Sequence, residues 1–483
     1  MLFNSLSFLI FLLLVFGLYW FIANKKLKWQ NLLLLAASYY FYACWDWRFL
    51  FLLVFSTLLD YYTGIKMANA KSGRTKTTWF WISISVNLGF LAVFKYFNFF
   101  AASFADAMSG MGLQVNPWTL NVLLPVGISF YTFHGLSYVI DIYKDRIKPE
   151  LNFIDYSLFV SFFPLLVAGP IERATHLLPQ VKEEREFDYE LAMQGLYQIL
   201  WGLFKKMVVA DNAAHLVNLI FDDPALSGST LAIGAFFFAF QIYGDFSGYS
   251  DIAIGVAKLF GFRLITNFSF PYFSRDIAEF WRRWHISLTT WFRDYLYIPL
   301  GGSRGSLWQS LRNTFIVFLV SGFWHGANWT FIVWGLLNAI YFLPLLLLDQ
   351  NRKNLNIASN NRVLPSFKEF VQMVITFTLT TFAWIFFRSK DLSSAFNYIE
   401  RMLGKHLLTV PKLKTGTDNT NMLLSLTFIV VMVIIEWANR KNIFVFQELH
   451  HKKIYLQLTV IIIFTAILFM FTGEQQDFIY FQF

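Results

Sequence analysis

The segment TFIVFLVSGFWHGANWTFIVWGLLNAIYFLPLLLL, residues 314–348, decides the fold class of this chain. Apolar runs flank a short polar, glycine-containing stretch, and their composition is that of helices embedded in lipid. An apolar helix of about 20 residues crosses roughly 30 Å of hydrocarbon. We therefore predict that residues 311–348 make two passes through a membrane, broken near Gly326, with His325 at the break.

Similar apolar runs recur along the whole chain. The 483 residues are 57% hydrophobic and 20% aromatic but only 14% charged, so polar surface is too scarce for soluble domains of this total length. The runs do not alternate polar and apolar residues, as barrel strands would. We predict an all-α, polytopic integral membrane protein with about 11 to 13 spanning or re-entrant helices.

One membrane domain, residues 1–483, accounts for the chain, with a C-terminal tail at 473–483. Two stretches, 155–171 and 275–300, contain proline or charge and are predicted to be re-entrant or interfacial. The predicted spans are 5–23, 29–44, 49–64, 79–101, 120–142, 193–221, 230–260, 311–348, 366–387, 421–437 and 454–472.

The net charge of +9 comes from short basic clusters between the apolar runs, which is typical of membrane topology and not of nucleic-acid binding. Basic clusters follow the first, third and fifth spans, whereas the loop 102–119 has no lysine or arginine. The positive-inside rule then predicts that both termini lie outside the cytoplasm. The loop 388–420 disagrees, since it is basic although predicted to be external. A partly amphipathic segment or a miscounted span would account for it.

His325 is the first candidate for chemistry. An ionisable group within a span usually faces a cavity or pathway, and neutral imidazole accepts a proton near neutral pH. Gly322 and Gly326 leave room for a substrate or a backbone to approach. The Asn328 amide is a candidate donor to an oxyanion, and Trp324 is a candidate tunnel residue. The alternative is a structural histidine bonded to a neighbour.

A second candidate segment is residues 274–304, in which aromatic residues recur at helical spacing. Glu279 and Arg283 stand four residues apart and are predicted to pair. His285 lies close to Arg282, between an aromatic face and a basic one. An interfacial anchor helix is the alternative. The closing PLGGSR, 299–304, is a weak candidate for binding a phosphate.

The third segment is QIYGDFSGYSDIAIG, 241–255, in which Asp245 and Tyr249 are candidate tunnel residues. A carboxylate within a span pairs with a cation or lines a polar passage. Both interpretations stay open, the pairing for instance with Arg282 or Arg283.

Two long segments together resemble one family: DFSGYSDIAIGVAKLFGFRLITNFSFPYFSRDIAEFWRRWHISLTTWFRDYLYIPLGGSR, 245–304, and SGFWHGANWTFIVWG, 321–335. LLPVGISFYTFHGLSYVIDIY, 123–143, and FFPLLVAGPIERATHLLPQ, 162–180, add to a resemblance that covers about residues 30–390. The family is the bacterial branch of the membrane-bound O-acyltransferases, with its alginate and peptidoglycan O-acetyltransferases and D-alanyl-teichoic acid transferases. The resemblance implies a ring of helices around a central tunnel, where a cytoplasmic acyl donor meets an acceptor from the other face. It also implies a location in the bacterial inner membrane, a catalytic role for His325 and a second functional histidine at His285.

The tail contains Phe478, Tyr480 and Phe483 in an F-x-Y-x-x-F pattern. A similar C-terminal motif occurs in bacterial envelope acylation systems, where the resemblance implies a tyrosine that carries the acyl group. A phenol is activated by a nearby base more easily than an aliphatic alcohol. The alternative is a tail whose aromatic side chains only anchor it at the interface.

These readings together predict an O-acyltransferase that moves an acyl group, most simply acetyl, toward an extracytoplasmic polysaccharide such as an alginate-like exopolysaccharide or a cell-wall glycan. We expect acetyl-CoA as donor, with an acyl carrier protein as the alternative, and no bound cofactor or metal. His325 would be the general base for Tyr480 or another hydroxyl, with His285 and Arg282 positioning or neutralising the donor. The expected partners are the lipid bilayer and an extracytoplasmic serine-hydrolase-like acetyltransferase. A transporter or flippase with a His/Asp relay, and a D-alanyl or lipid acyltransferase, are the alternatives.

Overall fold

A computed structural model describes residues 1–120, 124–223, 225–404 and 406–481 of the chain. Within those residues all regular structure is helical, which confirms the predicted all-α class. The chain divides into two compact units, Met1–Asp188 with Phe260–Leu264, and Tyr189–Leu259 with Ile265–Phe483. A single domain for the whole chain stays a prediction.

The first unit is built from apolar helices around small polar clusters. In one cluster, the buried Asp60 accepts hydrogen bonds from the Ser83 hydroxyl at 2.6 Å and the Asn87 amide at 2.8 Å. The helices of this unit are α1 Leu6–Phe21, α2 Leu27–Ala43, α3 Trp47–Ala68, α4 Gly73–Leu91, α5 Phe97–Gly110, α6 Ile128–Tyr143, α7 Phe153–Ser161, α8 Phe163–Leu166 and α9 Ala174–Lys182.

The second unit contains every candidate site residue named above that the structure describes. Its helices are α10 Tyr189–Leu203, α11 Asp211–Phe221, α12 Gly228–Leu259, α13 Ile277–Arg283, α14 Ile286–Phe292, α15 Leu307–His325, α16 Trp329–Leu347, α17 Phe367–Arg388, α18 Leu392–Met402, α19 Gly416–Ala438 and α20 Ile454–Phe471. A π-helical segment, Phe204–Ala210, joins α10 to α11 without a break.

Helices α10 and α12 pack with their main chains in contact. A Cβ on Gly195 would lie 2.6 Å from the carbonyl oxygen of Gly255, and one on Gly202 would lie 2.6 Å from that of Gly248. Small residues at such positions let membrane helices approach closely. The close approach brings the π-helical segment directly against α12.

Helices α15 and α16 correspond to the two predicted passes, and their break at 326–328 confirms the predicted interruption near Gly326. That both helices cross a membrane stays a prediction. A Cβ on Gly322 would lie 2.3 Å from the carbonyl oxygen of Phe331, and one on Gly326 would lie 2.1 Å from the Phe331 ring. The room at both glycines is therefore filled by helix α16. Asn328 begins that helix as its N-cap, since its side chain accepts a hydrogen bond from the Thr330 N–H at 3.0 Å.

Eight helical segments of the described residues are long and apolar enough to cross a membrane by length and composition, which confirms the polytopic class. They are Leu6–Lys25, Trp47–Ala68, Gly73–Gly110, Gly228–Leu259, Trp329–Leu347, Phe367–Arg388, Gly416–Ala438 and Ile454–Phe471. The other predicted spans fall on α2, α6, α10–α11 and α15, which are shorter or more polar, so the full number of 11 to 13 and the ring around a tunnel stay predictions.

Several predicted boundaries change. The span predicted at 120–142 corresponds to helix α6, which begins only at Ile128, and residues 121–123 lie outside the described residues. The stretch 155–171 holds parts of α7 and α8, and the stretch 275–300 holds α13, α14 and a π-helical segment, Arg293–Tyr297, as expected for interrupted segments. In the loop 388–420, residues 392–402 form the amphipathic helix α18, and Lys405 lies outside the described residues.

Candidate functional site

His325 is the last residue of helix α15 and is 4% exposed. Its imidazole is surrounded by aromatic rings, with the ring centroid of Trp324 at 4.9 Å, that of Trp334 at 5.0 Å and that of Phe387 at 5.3 Å. The break that follows at Gly326 places this side chain between the end of helix α15 and the start of helix α16. His325 is therefore packed among aromatic side chains. That it faces a cavity or a pathway stays a prediction.

The C-terminal tail brings Tyr480 to His325. The two ring centroids lie 5.7 Å apart, although 155 residues separate the side chains in sequence. Phe478 stacks on Tyr480 at 5.5 Å and packs against Tyr249 at 4.7 Å. Phe483, the last residue of the predicted motif, lies outside the described residues. The neighbouring Phe478 and Tyr480 of the motif thus pack within the second unit, with Tyr480 beside the candidate base.

His285 links helices α13 and α14 in a left-handed conformation, with φ 43° and ψ 54°. Asn267 holds it there from two sides. The Asn267 carbonyl oxygen accepts from the Ile286 N–H at 2.9 Å, and its side-chain Oδ1 lies 3.1 Å from His285 Nδ1. A non-glycine residue in this conformation is strained and persists only when its surroundings enforce it. The chain therefore bends sharply at the second candidate histidine.

The neighbours of His285 determine its tautomer. Asn267 Oδ1 also accepts from the Ser287 main-chain N–H at 3.3 Å and the Ser287 hydroxyl at 2.8 Å, so this atom is the amide oxygen and not the nitrogen. An oxygen facing Nδ1 requires a proton on Nδ1, which leaves Nε2 with its lone pair. Among the described residues, Nε2 has no hydrogen-bond partner. Burial lowers the pKa of His285, which is outside the candidate spans, to about 3, so the ring is neutral and Nε2 can only accept.

Five rings form a closed circuit that contains both histidines. Phe246 lies 4.6 Å from His285 and 4.6 Å from Tyr480, while Trp324 lies 6.2 Å from His285 and 4.9 Å from His325. The contact between Tyr480 and His325 closes the circuit. We call these residues, His285, Phe246, Tyr480, His325 and Trp324, the five-ring cluster. It places two imidazoles and one phenol in an apolar environment, where charge interactions are stronger than in water.

Tyr480 is partly accessible, yet burial among these rings raises the pKa of its phenol well above the usual range. The phenolate is therefore not formed in advance near neutral pH. A phenol in this state becomes a nucleophile only if a base removes its proton during the attack. The imidazole of His325, whose ring centroid lies 5.7 Å from that of Tyr480, is the kind of group that can do so.

Asp245 is buried in helix α12 and pairs with Lys206, whose Nζ lies 2.7 Å from its Oδ1. Asp245 Oδ2 accepts a hydrogen bond from the main-chain N–H of Ile479 at 2.7 Å. The predicted pairing of Asp245 with Arg282 or Arg283 is therefore wrong. Arg282 bonds instead to the carbonyl oxygens of Asn351 and Asn354, and Arg283 bonds to Glu279 and the carbonyl oxygen of Ser269. The carboxylate of Asp245 pairs with a lysine from the neighbouring π-helical segment.

The side chains of Arg282 and Asn328 donate hydrogen bonds to residues outside the five-ring cluster. Arg282 is exposed and donates to the carbonyl oxygens of Asn351 and Asn354, both at 2.9 Å. Besides its capping bond, the Asn328 amide donates to the carbonyl oxygen of Lys390 at 2.8 Å. These bonds hold local structure, and the roles in donor binding and oxyanion stabilisation stay predictions.

The Glu279–Arg283 pair and the PLGGSR turn were also predicted from the sequence. Arg283 donates to Glu279 at 2.9 Å, which confirms that pair. In the PLGGSR turn, the Asn313 amide donates to the carbonyl oxygens of Leu300 at 3.2 Å and Gly302 at 3.0 Å. The turn is thus fastened to helix α15, and phosphate binding by it stays a prediction.

Two adjacent lysines inside the predicted span 193–221 are functional candidates that were not predicted from the sequence. Lys206 contacts Asp245 and Asp211, and Lys205 lies 2.6 Å from Asp251. Both ammonium groups are buried. The signal was present, because ionisable residues within an apolar run mark functional or pairing sites. Asn267 and Phe246 were also missed, and nothing in their local sequence distinguishes them.

The sequence of this chain is similar to those of known membrane-bound acyltransferases. The model of "MBOAT, membrane-bound O-acyltransferase family" matches residues 143–386. The chain is 41% identical over 409 residues, 83% of its length and 75% of the relative's, to a Pseudomonas aeruginosa protein named "Probable alginate O-acetylase AlgI". It is 33% identical over 527 aligned residues, 100% of its length and 98% of the relative's, to a Helicobacter pylori peptidoglycan O-acetyltransferase. A Bacillus subtilis teichoic acid D-alanyltransferase is 27% identical over 289 residues, 56% of this chain and 70% of that one. This multi-pass membrane protein therefore belongs to the membrane-bound O-acyltransferase family of acyl-transferring enzymes.

Proposed function

We propose that this protein is an O-acetyltransferase of the bacterial inner membrane that passes acetyl groups toward an extracytoplasmic polysaccharide. The names of relatives that share most of the chain support acetyl transfer and a glycan acceptor. One observation carries the mechanism: the Tyr480 ring lies 5.7 Å from the His325 ring.

In the first step, the Tyr480 hydroxyl attacks the thioester carbonyl of acetyl-CoA. His325 accepts the phenolic proton as the new C–O bond forms, the C–S bond breaks, and the proton passes to the departing thiolate. The products are acetyl-Tyr480 and CoA thiol. The raised phenol pKa supports a role for the base in this same step, since no phenolate is stored beforehand.

In the second step, an acceptor hydroxyl attacks the acetyl-tyrosine ester. His325 takes the hydroxyl proton and returns it to the phenolate that leaves, so the enzyme is restored. Phenolate is a better leaving group than an alkoxide, so onward transfer to a sugar hydroxyl is favourable. A serine-hydrolase-like partner outside the cytoplasm completes delivery to the glycan, and both termini face that side, as the positive-inside rule predicts.

His285 has a different task in this scheme. Its Nε2 is an acceptor without a partner among the described residues, so it fits an N–H or O–H of the donor or acceptor, and it does not donate to an oxyanion. We therefore assign to His285 the orientation of the substrate beside the five-ring cluster. Acetyl-CoA is the proposed donor, with an acyl carrier protein thioester as the alternative.

The experiment is a pulse of labelled acetyl-CoA on the purified protein, followed by mass mapping of the adduct. We expect label on Tyr480, no label in Tyr480→Phe, and a loss of at least about a hundredfold in rate for His325→Ala. Tyr455→Phe is the matched control, because Tyr455 is 63% exposed on helix α20.

Two outcomes would overturn the proposal. Label at another residue that persists in both variants removes the roles of Tyr480 and His325. Movement of an intact solute across vesicles, with no covalent adduct at any stage, would favour the transporter alternative instead.

A further inference from the structure

The tail is held by its main chain at a buried ionic cluster. Lys206 Nζ donates to the carbonyl oxygen of Gln476 at 3.0 Å, and Asp245 Oδ2 accepts from the N–H of Ile479 at 2.7 Å. Lys206 also lies 2.8 Å from Asp211 Oδ1. The bonds to the tail therefore hold Gln476 and Ile479, the latter directly before Tyr480.

The cluster is buried and built from charged groups. Lys206, Asp211 and Asp245 are each 3% exposed or less. Removing charges from water is costly unless each is paired and hydrogen-bonded, so such a cluster persists only with its partners in place. Two of those partners are main-chain groups of the tail. The tail therefore completes the bonding of the cluster, and the cluster in turn fixes the course of the tail.

Main-chain recognition leaves the tail side chains available for other contacts. Before these residues in the chain, the Gly473 N–H donates to the carbonyl oxygen of Met207 at 3.0 Å, and the Asn212 amide donates to that of Phe471 at 2.9 Å. Each of these contacts comes from residues at or next to the π-helical segment. Phe478 and Tyr480 are then directed at the aromatic rings.

We propose that Lys206, Asp211 and Asp245 form a tail clamp that positions Tyr480 against His325. The clamp residues are positioning residues, since they act on the reaction through the tail backbone. The inference rests on the proposed function of Tyr480 for its catalytic consequence, whereas docking of the tail can be measured without any acyl transfer.

The chain offers a matched control for this clamp. Asp251 lies on the same helix as Asp245, and its two oxygens are bonded in the same manner, to Lys205 at 2.6 Å and to the Gln198 amide at 2.8 Å. No tail residue is among these partners. Asp245→Asn and Asp251→Asn therefore impose the same chemical change, because each leaves one side-chain oxygen to accept from two donors. Only Asp245→Asn affects a bond to the tail.

Docking is measured by the reactivity of a thiol placed in the tail. In a chain carrying Cys44→Ser, which removes the only cysteine, Ile479→Cys puts a thiol at a side chain that is 2% exposed and keeps the clamped N–H. We expect Asp245→Asn to raise the rate of maleimide labelling about tenfold or more, the effect of one lost bond to a charged acceptor. Asp251→Asn should stay within about twofold of the parent.

Acylation is measured separately in chains with Ile479 intact. Asp245→Asn should lower the initial rate of acetyl-Tyr480 formation in proportion to the docked fraction of the tail that it removes, and Asp251→Asn should not. Unchanged thiol labelling in Asp245→Asn, or equal opening in both variants, would overturn the clamp. Absence of any acetyl-Tyr480 in the parent would overturn the proposed function. The maleimide-labelling rates would still test whether the clamp holds the tail.

Discussion

Replacing Gly322 with alanine tests whether the α15–α16 contact sets the position of His325. Gly322 lies one helical turn before His325, on the same face of α15. Its added Cβ would lie 2.3 Å from the carbonyl oxygen of Phe331. That oxygen belongs to a helix backbone, so no flexible side chain can move aside to make room.

The size of the effect follows from this distance. Ordinary carbon–oxygen contacts are at least about 3.3 Å, so helix α16 must move by about 1 Å. Phe331 packs on Phe387 at 4.8 Å, and Phe387 packs on His325 at 5.3 Å, so the shift reaches the imidazole. Overpacking of this kind destabilises by about 1–3 kcal/mol, and a 1 Å misplacement of a reacting group costs about a hundredfold in rate.

The assay is the initial rate of acetyl-tyrosine formation by the folded fraction, with thermal unfolding followed in parallel. Gly17→Ala is the control, because a Cβ there meets no atom within 4 Å. It should leave the rate unchanged. A Gly322→Ala protein that folds and reacts at the parent rate would show that the spacing of the two helices does not position His325.

Two further predictions concern the five-ring cluster. Phe246→Leu removes the ring that contacts both His285 and Tyr480, and we expect a loss of about 0.5–1.5 kcal/mol in unfolding free energy together with a slower acyl transfer, measured by thermal unfolding and pulse labelling. Undiminished transfer would mean that this ring does not order the phenol. Asn267→Asp places a carboxylate beside the Nδ1–H of His285, which favours the imidazolium and raises a pKa that burial holds at about 3. Nε2 then gains a proton as the pH falls through the raised pKa, so the rate should show a loss on the acid side that the parent lacks, and identical pH–rate profiles would contradict the role of Nε2 as an acceptor.

Much of the fold was accessible from sequence because apolar runs impose it. Each predicted span contains or overlaps a helix, and the break near Gly326 and the Glu279–Arg283 pair follow from local patterns. The N-cap role of Asn328 was also predictable, since Asn before an apolar run is a typical N-cap. An oxyanion donor was predicted at Asn328, where the local pattern already favoured a cap.

The arrangement of the candidate site was not accessible in the same way. The approach of Tyr480 to His325 depends on bonds between Lys206, Asp245 and the tail backbone, which join residues far apart in sequence. The partner of Asp245 depends on a π-helical segment, and hydrophobic periodicity does not reveal where a helix widens by one residue. The left-handed turn at His285 is likewise imposed by Asn267 across the fold.

The π-helical segment has a consequence for how this chain is aligned with others. Its wider turn lets consecutive residues, Lys205 and Lys206, both reach helix α12. The number of residues between 204 and 210 is therefore as constrained as their identity. Where a related sequence is one residue shorter here, an ordinary α-helix would re-form and only one of two neighbouring cations would keep its counter-ion. An alignment gap within residues 204–210 therefore marks the loss of one of these ion pairs, even if the flanking residues are identical.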